Sequence, residues 1–207
     1  IMPSASYDKF LKTIKRCETL IRSYQILHRV NQRNSQVPAP KDIVRGGVVL
    51  AVAALDAYVT DVFSEKLVAY LKRYNPNPQL IALLSEAGLG TEEALTLIQM
   101  ERPYRRIRTL MQRYYATYTT QKFDVIDSIF EPYHLANITD HAARKSGTPS
   151  IKKSVEKLVE KRHRIAHSGD YNSHKRIIDI DDARILKRTK HLETLVTEMD
   201  SIVCNRI

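Results

Sequence analysis

The segment from Lys41 to Lys72 constrains the fold more than any other part of the chain. Val48, Leu55, Val62 and Ala69 recur in it one heptad apart, and apolar residues fill much of the space between them. That periodicity predicts one long α-helix. At about 1.5 Å per residue such a helix crosses most of a small domain, so the rest of the chain must pack around it. Its apolar run "VVLAVAAL" stops at Asp56, far short of the ~20 residues that a membrane span needs. Gly46 and Gly47, near its start, are read as a point where another helix comes close. No strand or glycine-rich turn precedes them to suggest a phosphate loop.

Helices are predicted on either side of it. In the first segment Phe10, Ile14, Cys17, Ile21, Tyr24 and Leu27 make one apolar stripe at three- and four-residue steps. "NQRNSQVPAP" breaks that pattern, and Pro40 suits the first turn of the long helix. "YNPNP" ends the long helix. Short helices are then expected at about 79–86, 91–100, 104–115 and 123–130. In "GTPS", Thr148 is placed as an N-cap and Pro149 as a first helical residue, and the helix that follows should stop at Gly169. "RIIDIDD" suits a brief extended stretch before a last helix with Ile185, Leu192, Val196, Met199 and Val203 on its stripes. The expected fold is all-α. It is a mostly antiparallel helical bundle in a single domain over 1–207, with an irregular helical insertion at about 76–127.

A hydrophobic fraction of 43% against 27% charged residues fits a soluble globular chain and excludes a disordered one. The formal charge of +10 favours polyanionic partners such as RNA. Cys17 and Cys204 lie near opposite ends and form no CxxC pair, so a reducing, cytoplasmic setting is the simplest expectation. The opening residues carry no basic and apolar leader pattern.

The chemistry concentrates in "EKRHRIAHSGDYN" (160–172), where six residues hold two of the seven histidines and two arginines. On a helical wheel Ile151, Val155, Leu158, Val159, Ile165 and Ala166 form the apolar stripe, with Arg162 near its centre. His163 and His167 lie one turn apart on the flank beside Glu156 and Glu160. Cations that complement a helix C-terminus account for Arg164 and His167, but not for Arg162. "HRIAH" has the histidine spacing of a zinc helix, yet Arg164 stands where the general-base Glu would be. A third ligand would have to come from His134, His141 or His174. The third reading is acid–base chemistry on a phosphodiester. An imidazole moves the proton of a ribose 2′-hydroxyl, and a guanidinium fork steadies the phosphate as charge builds on it. That reaction calls for no metal and no cofactor.

"RHRIAH" resembles the R-x4-6-H motif of HEPN domains, many of which are RNases of defence and toxin–antitoxin systems. "RGGVVLAVAALDAYVTDVF" and "IDIDDARILKRTKHLETLVTEMDSIV" resemble the long second helix and the last helix of the RiboL-PSP-HEPN group. The resemblance implies that Arg162 and His167 are catalytic and that His163 supports them. It also implies a homodimer whose two motifs share a cleft, and an antitoxin or regulator as a further partner. Asp56 stands where relatives often carry an acidic residue, and it equally suits a helix–helix contact. Some HEPN toxins carry a modified tyrosine two residues after the histidine. Here Ser168 and Gly169 follow and the nearest tyrosine is Tyr171, which argues against that regulation. The alternative to an RNase is a catalytically inactive HEPN module that binds a nucleotide, RNA or a protein. Finally, "ERPYRRIRTLMQRYYATY" mixes Arg102, Arg105, Arg106 and Arg108 with tyrosines. That mixture suits single-stranded RNA and equally suits a half-buried helix with a solvated face.

Overall fold

The computed structural model describes residues 2–33, 40–116, 118 and 120–207, and these form nine α-helices. They are α1 (Ala5–Arg33), α2 (Asp42–Arg73), α3 (Pro78–Glu86), α4 (Thr91–Ile98), α5 (Pro103–Tyr115), α6 (Phe123–Phe130), α7 (Ile138–Lys145), α8 (Ile151–Ser168) and α9 (Asp182–Arg206). A single 3-10 turn, Glu131–Tyr133, follows α6. The fold is all-α, and α2 runs through it as the long helix that the heptad pattern predicts. By length and hydropathy α2 could also cross a membrane, but its apolar residues are the core of the bundle.

The interhelical bonds give the directions. Down α1, Cys17, Lys9 and Ser6 pair with Gly47, Asp61 and Glu65 going up α2. Likewise Tyr7 and Gln25 of α1 bond Thr197 and Asp182 of α9. Both neighbours of α1 therefore run antiparallel to it. The α1 stripe is buried from Phe10 to Tyr24, whereas Leu27 is exposed and His28 takes its turn on the stripe, stacked on Tyr24 at 5.6 Å. Of the two glycines only Gly47 marks a close approach, since a Cβ there would meet the Ile21 side chain at 3.1 Å. Gly46 faces open space. The Cys17 thiol is enclosed at this crossing, 3.0 Å from the Gly47 carbonyl, and burial pushes its pKa up to about 11.

At the other end of α2 the core is aromatic. Phe63 stacks on Tyr133 at 4.5 Å and meets Tyr115 edge-on at 5.1 Å, with Phe130 beyond at 6.5 Å. Such pairs add about 0.5–1.5 kcal/mol each to the burial of their area. They fasten α5, α6 and the 3-10 turn to α2, and the Tyr133 hydroxyl donates to the Phe63 carbonyl.

Several expectations need correction. Pro40 precedes α2, whose N-cap is Lys41. The break at "NQRNSQVPAP" falls largely on 34–39, outside the described residues. Thr148 and Pro149 do not start α8; it begins at Ile151 behind Ser150, which holds a left-handed conformation (φ 58°) and makes no side-chain cap. The short helix α7 was not anticipated, because "ITDHAARK" buries only Ile138, Thr139 and Ala142 and is too brief for a clear period. Ile177, in the stretch expected to be extended, forms one antiparallel bridge with Tyr171, a pairing that the sequence reading did not foresee.

Candidate active site

The motif helix α8 enters the core through Ile151, Val155 and Leu158, all buried. It stops at Gly169, whose φ of 59° is the left-handed region that glycine enters without strain. A Cβ there would also meet the Tyr171 ring at 3.2 Å, so a second constraint selects glycine. The helix end is therefore fixed two residues past His167.

Past Leu158 the buried position is Lys161, and Arg162 beside it is only half-buried. The wheel placed Arg162 mid-stripe and Ala166 inside it. Instead the buried face passes one residue earlier, where Lys161 reaches the buried Asp170, and Ala166 is exposed. Arg162 makes no ion pair or hydrogen bond with any other described residue. His163 and His167 are exposed on one flank, their ring centroids 4.3 Å apart and their planes tilted by 42°. The last two turns of α8 thus present a pair of imidazoles and, about 100–140° further round the helix, an uncommitted guanidinium. Such groups can hold an anion and pass protons to and from it.

A groove of about 930 Å³ runs along the His163 side of this flank. Its walls are Glu156, Glu160 and His163 from α8, and Gln121, Lys122 and Phe123 at the start of α6. Asp56 holds the far wall: its carboxylate accepts from Thr120 Oγ1 at 2.8 Å and from Gln121 Nε2 at 2.5 Å. Asp56 accordingly anchors a loop of the groove, a role between the two that the sequence left open.

Behind the flank lies an arrangement that sequence reasoning missed. Asp170 is fully buried, and its Oδ2 receives both Lys161 Nζ at 2.5 Å and Arg45 Nε at 3.0 Å. Arg45 also donates to the Ile178 carbonyl at 2.6 Å and reaches Asp42 at 3.3 Å. A cue existed in "DIVRGG", where Arg45 interrupts the apolar start of α2. A buried guanidinium needs acceptors, and Asp170 was the available carboxylate.

The groups proposed for other roles fall elsewhere. His134 pairs with Asn77, His141 lies against the end of α9, and His174 is exposed in the 171–177 hairpin. Among the described residues no three His, Cys, Asp or Glu side chains come together as a metal site. Arg102, Arg105 and Arg108 are exposed on or just before α5, while Arg106 is bound to Glu93 at 2.7 Å. Arg108 reaches back to the Ser64 carbonyl. The α8 end meets α2 at Arg45 and α5 meets it at Ser64, which at about 1.5 Å per residue are separated by about 28 Å along the helix. These arginines therefore do not join the motif in one site of a single chain. Tyr171 is half exposed beside Gly169.

The family model for RiboL-PSP-HEPN matches residues 12–205, nearly the whole chain, and the chain belongs to that family. At the family level the activity is that of a nuclease. No curated protein and no solved structure matches the chain.

Proposed function

We propose that this protein is a metal-independent endoribonuclease, a cytoplasmic effector of a defence or toxin–antitoxin system. The uncommitted Arg162 carries the reading, because a guanidinium that no protein carboxylate engages is free to fork onto a phosphate. In the proposed reaction Arg162 binds the scissile phosphate. His167 takes the proton of the ribose 2′-hydroxyl as its oxygen attacks phosphorus, the P–O5′ bond breaks, and a protonated imidazole returns a proton to the leaving 5′-oxygen. The products are a 2′,3′-cyclic phosphate and a 5′-hydroxyl. His163, its ring tilted against that of His167, supports its orientation.

Arg162 and His167 lie about 140° apart around α8 at about 100° per residue, so one helix does not easily aim both at one phosphate. A homodimer that pairs two motif helices across a twofold axis removes that difficulty. An apolar groove beside the motif, lined by Leu20, Gly46, Val49, Ala53 and Ile165, gives a second copy a surface to cover. The exposed position of His167 favours the enzyme over an inactive binding module.

The test is incubation of the protein with RNA in EDTA beside a His167→Ala control. Cleavage should persist under chelation. The variant should lose about 10²–10⁴-fold while remaining folded. Activity abolished by EDTA and restored by Zn²⁺ would revive the two-histidine metal reading, and an unchanged rate in folded His167→Ala would remove the catalytic role.

A further inference from the structure

Resting on that reading, we propose that Asp170 is the positioning residue of the site. It fixes the last turn of α8 through a buried clamp and thereby sets the direction of His167. Three elements converge on it. Lys161 belongs to α8, Arg45 to α2, and the Asp170 carbonyl accepts from the Ile178 amide at 2.8 Å across the 171–177 hairpin. Its own amide donates to the Arg164 carbonyl at 3.1 Å, so the residue that gathers the charges also closes the helix carrying His167. Arg45 completes the ring by donating to the Ile178 carbonyl.

The clamp concentrates unfavourable features that a merely structural staple avoids. Both cations converge on Oδ2, and Oδ1 is buried with no hydrogen-bond partner among the described residues. An unpartnered buried carboxylate oxygen carries a desolvation penalty. Asp170 also holds a left-handed backbone at φ 62°, a conformation that costs a non-glycine residue energy. Buried ion clusters of this kind are commonly matched or bettered in stability by apolar side chains of similar size. Costs of this type gather where geometry serves function, and here they lie three residues beyond His167. The clamp holds α8 at the same height on α2 as the catalytic flank, and no apolar contact made by the exposed His167 could do so.

The experiment compares wild type, Asp170→Asn, His167→Ala and the double variant as steady-state RNases, at a temperature where circular dichroism shows each to be folded. Asp170→Asn should lower kcat about tenfold to a hundredfold, the scale of a reacting group displaced by about 1 Å, with KM within about twofold. Added to His167→Ala it should change the residual rate by less than about twofold, because a residue acting through His167 has nothing left to position. Losses that multiply in the double variant would make Asp170 a general structural residue and overturn the proposal. If Asp170→Asn does not fold, Lys161→Met with Asp170→Asn, one buried cation fewer, takes its place with the same expected outcomes. Failure of the RNase reading is separable: wild type would then cut no RNA. In that event the imidazole NMR signals decide. The His167 signals should shift or broaden on Asp170→Asn while those of His141 stay in place, and unmoved His167 signals overturn the positioning role.

Discussion

The two ends of α2 solve the same packing problem by opposite means. Around Phe63 a stack of aromatic rings from α5, α6 and the 3-10 turn closes the core with shape alone. Around Arg45 the helix meets α8 and the 171–177 hairpin through a carboxylate that is claimed by two cations. Rings gain from every contact and tolerate small shifts. A buried ion cluster offers little net stability but permits few arrangements. The candidate chemistry lies at the ionic end, where direction matters more than strength.

The largest effect should come from the aromatic end. Phe63→Ala should cost about 3–5 kcal/mol of folding free energy by chemical denaturation, since the side chain is fully buried and meets three rings. The rate per folded molecule should be unchanged. A loss below about 1 kcal/mol would mean that this end repacks, and the contrast with the ionic end would collapse. Next in size, Tyr133→Phe keeps the stacked ring and removes the bond to the Phe63 carbonyl. It should cost about 1 kcal/mol. A cost equal to that of Phe63→Ala would shift the weight from ring packing to hydrogen bonding.

At the ionic end truncation should behave differently. Lys161→Met leaves Arg45 and Asp170 as a one-to-one pair and fills the space with an apolar chain. Stability should change by less than about 1 kcal/mol, or rise. A drop of several kcal/mol would show that both cations are required for folding, and the clamp would then be an ordinary staple. The smallest effect on stability should come from Arg105→Ala with Arg106→Ala on α5, within about 1 kcal/mol, since the pair gives up only the half-exposed bond of Arg106 to Glu93. Their signature is electrostatic: KM rises and its dependence on salt flattens, because each lost phosphate contact releases fewer counterions. An unaltered salt slope would leave these arginines as a solvated face.

Sequence alone showed the helices and their stripes at both ends and little of what joins them, neither the rings around Phe63 nor the charges around Asp170. The heptad of α2, the stripes of α1 and α9, and the stop at Gly169 were legible because one-dimensional periodicity and a left-handed glycine leave local marks. His163 and His167 were placed on one flank correctly because i and i+4 neighbours are fixed by the helix itself. Which cation would be buried was not legible. Lys161 and Arg162 are adjacent, and the choice depends on a carboxylate nine residues onward and an arginine more than a hundred residues earlier. Helix α7 and the loop held by Asp56 stayed hidden for the same reason, since long-range partners define them.

The enclosure of Cys17 at the α1–α2 crossing has a kinetic consequence. Only the thiolate attacks an alkylating reagent. A thiol with its pKa raised to about 11 and no solvent contact is thus silent while the bundle is closed. It becomes reactive when α1 lifts from Gly47, whereas the half-exposed Cys204 offers a thiol outside the crossing. The rate at which the second label enters the native protein is then a clock for the opening of this helix pair, read without denaturant and without any substrate.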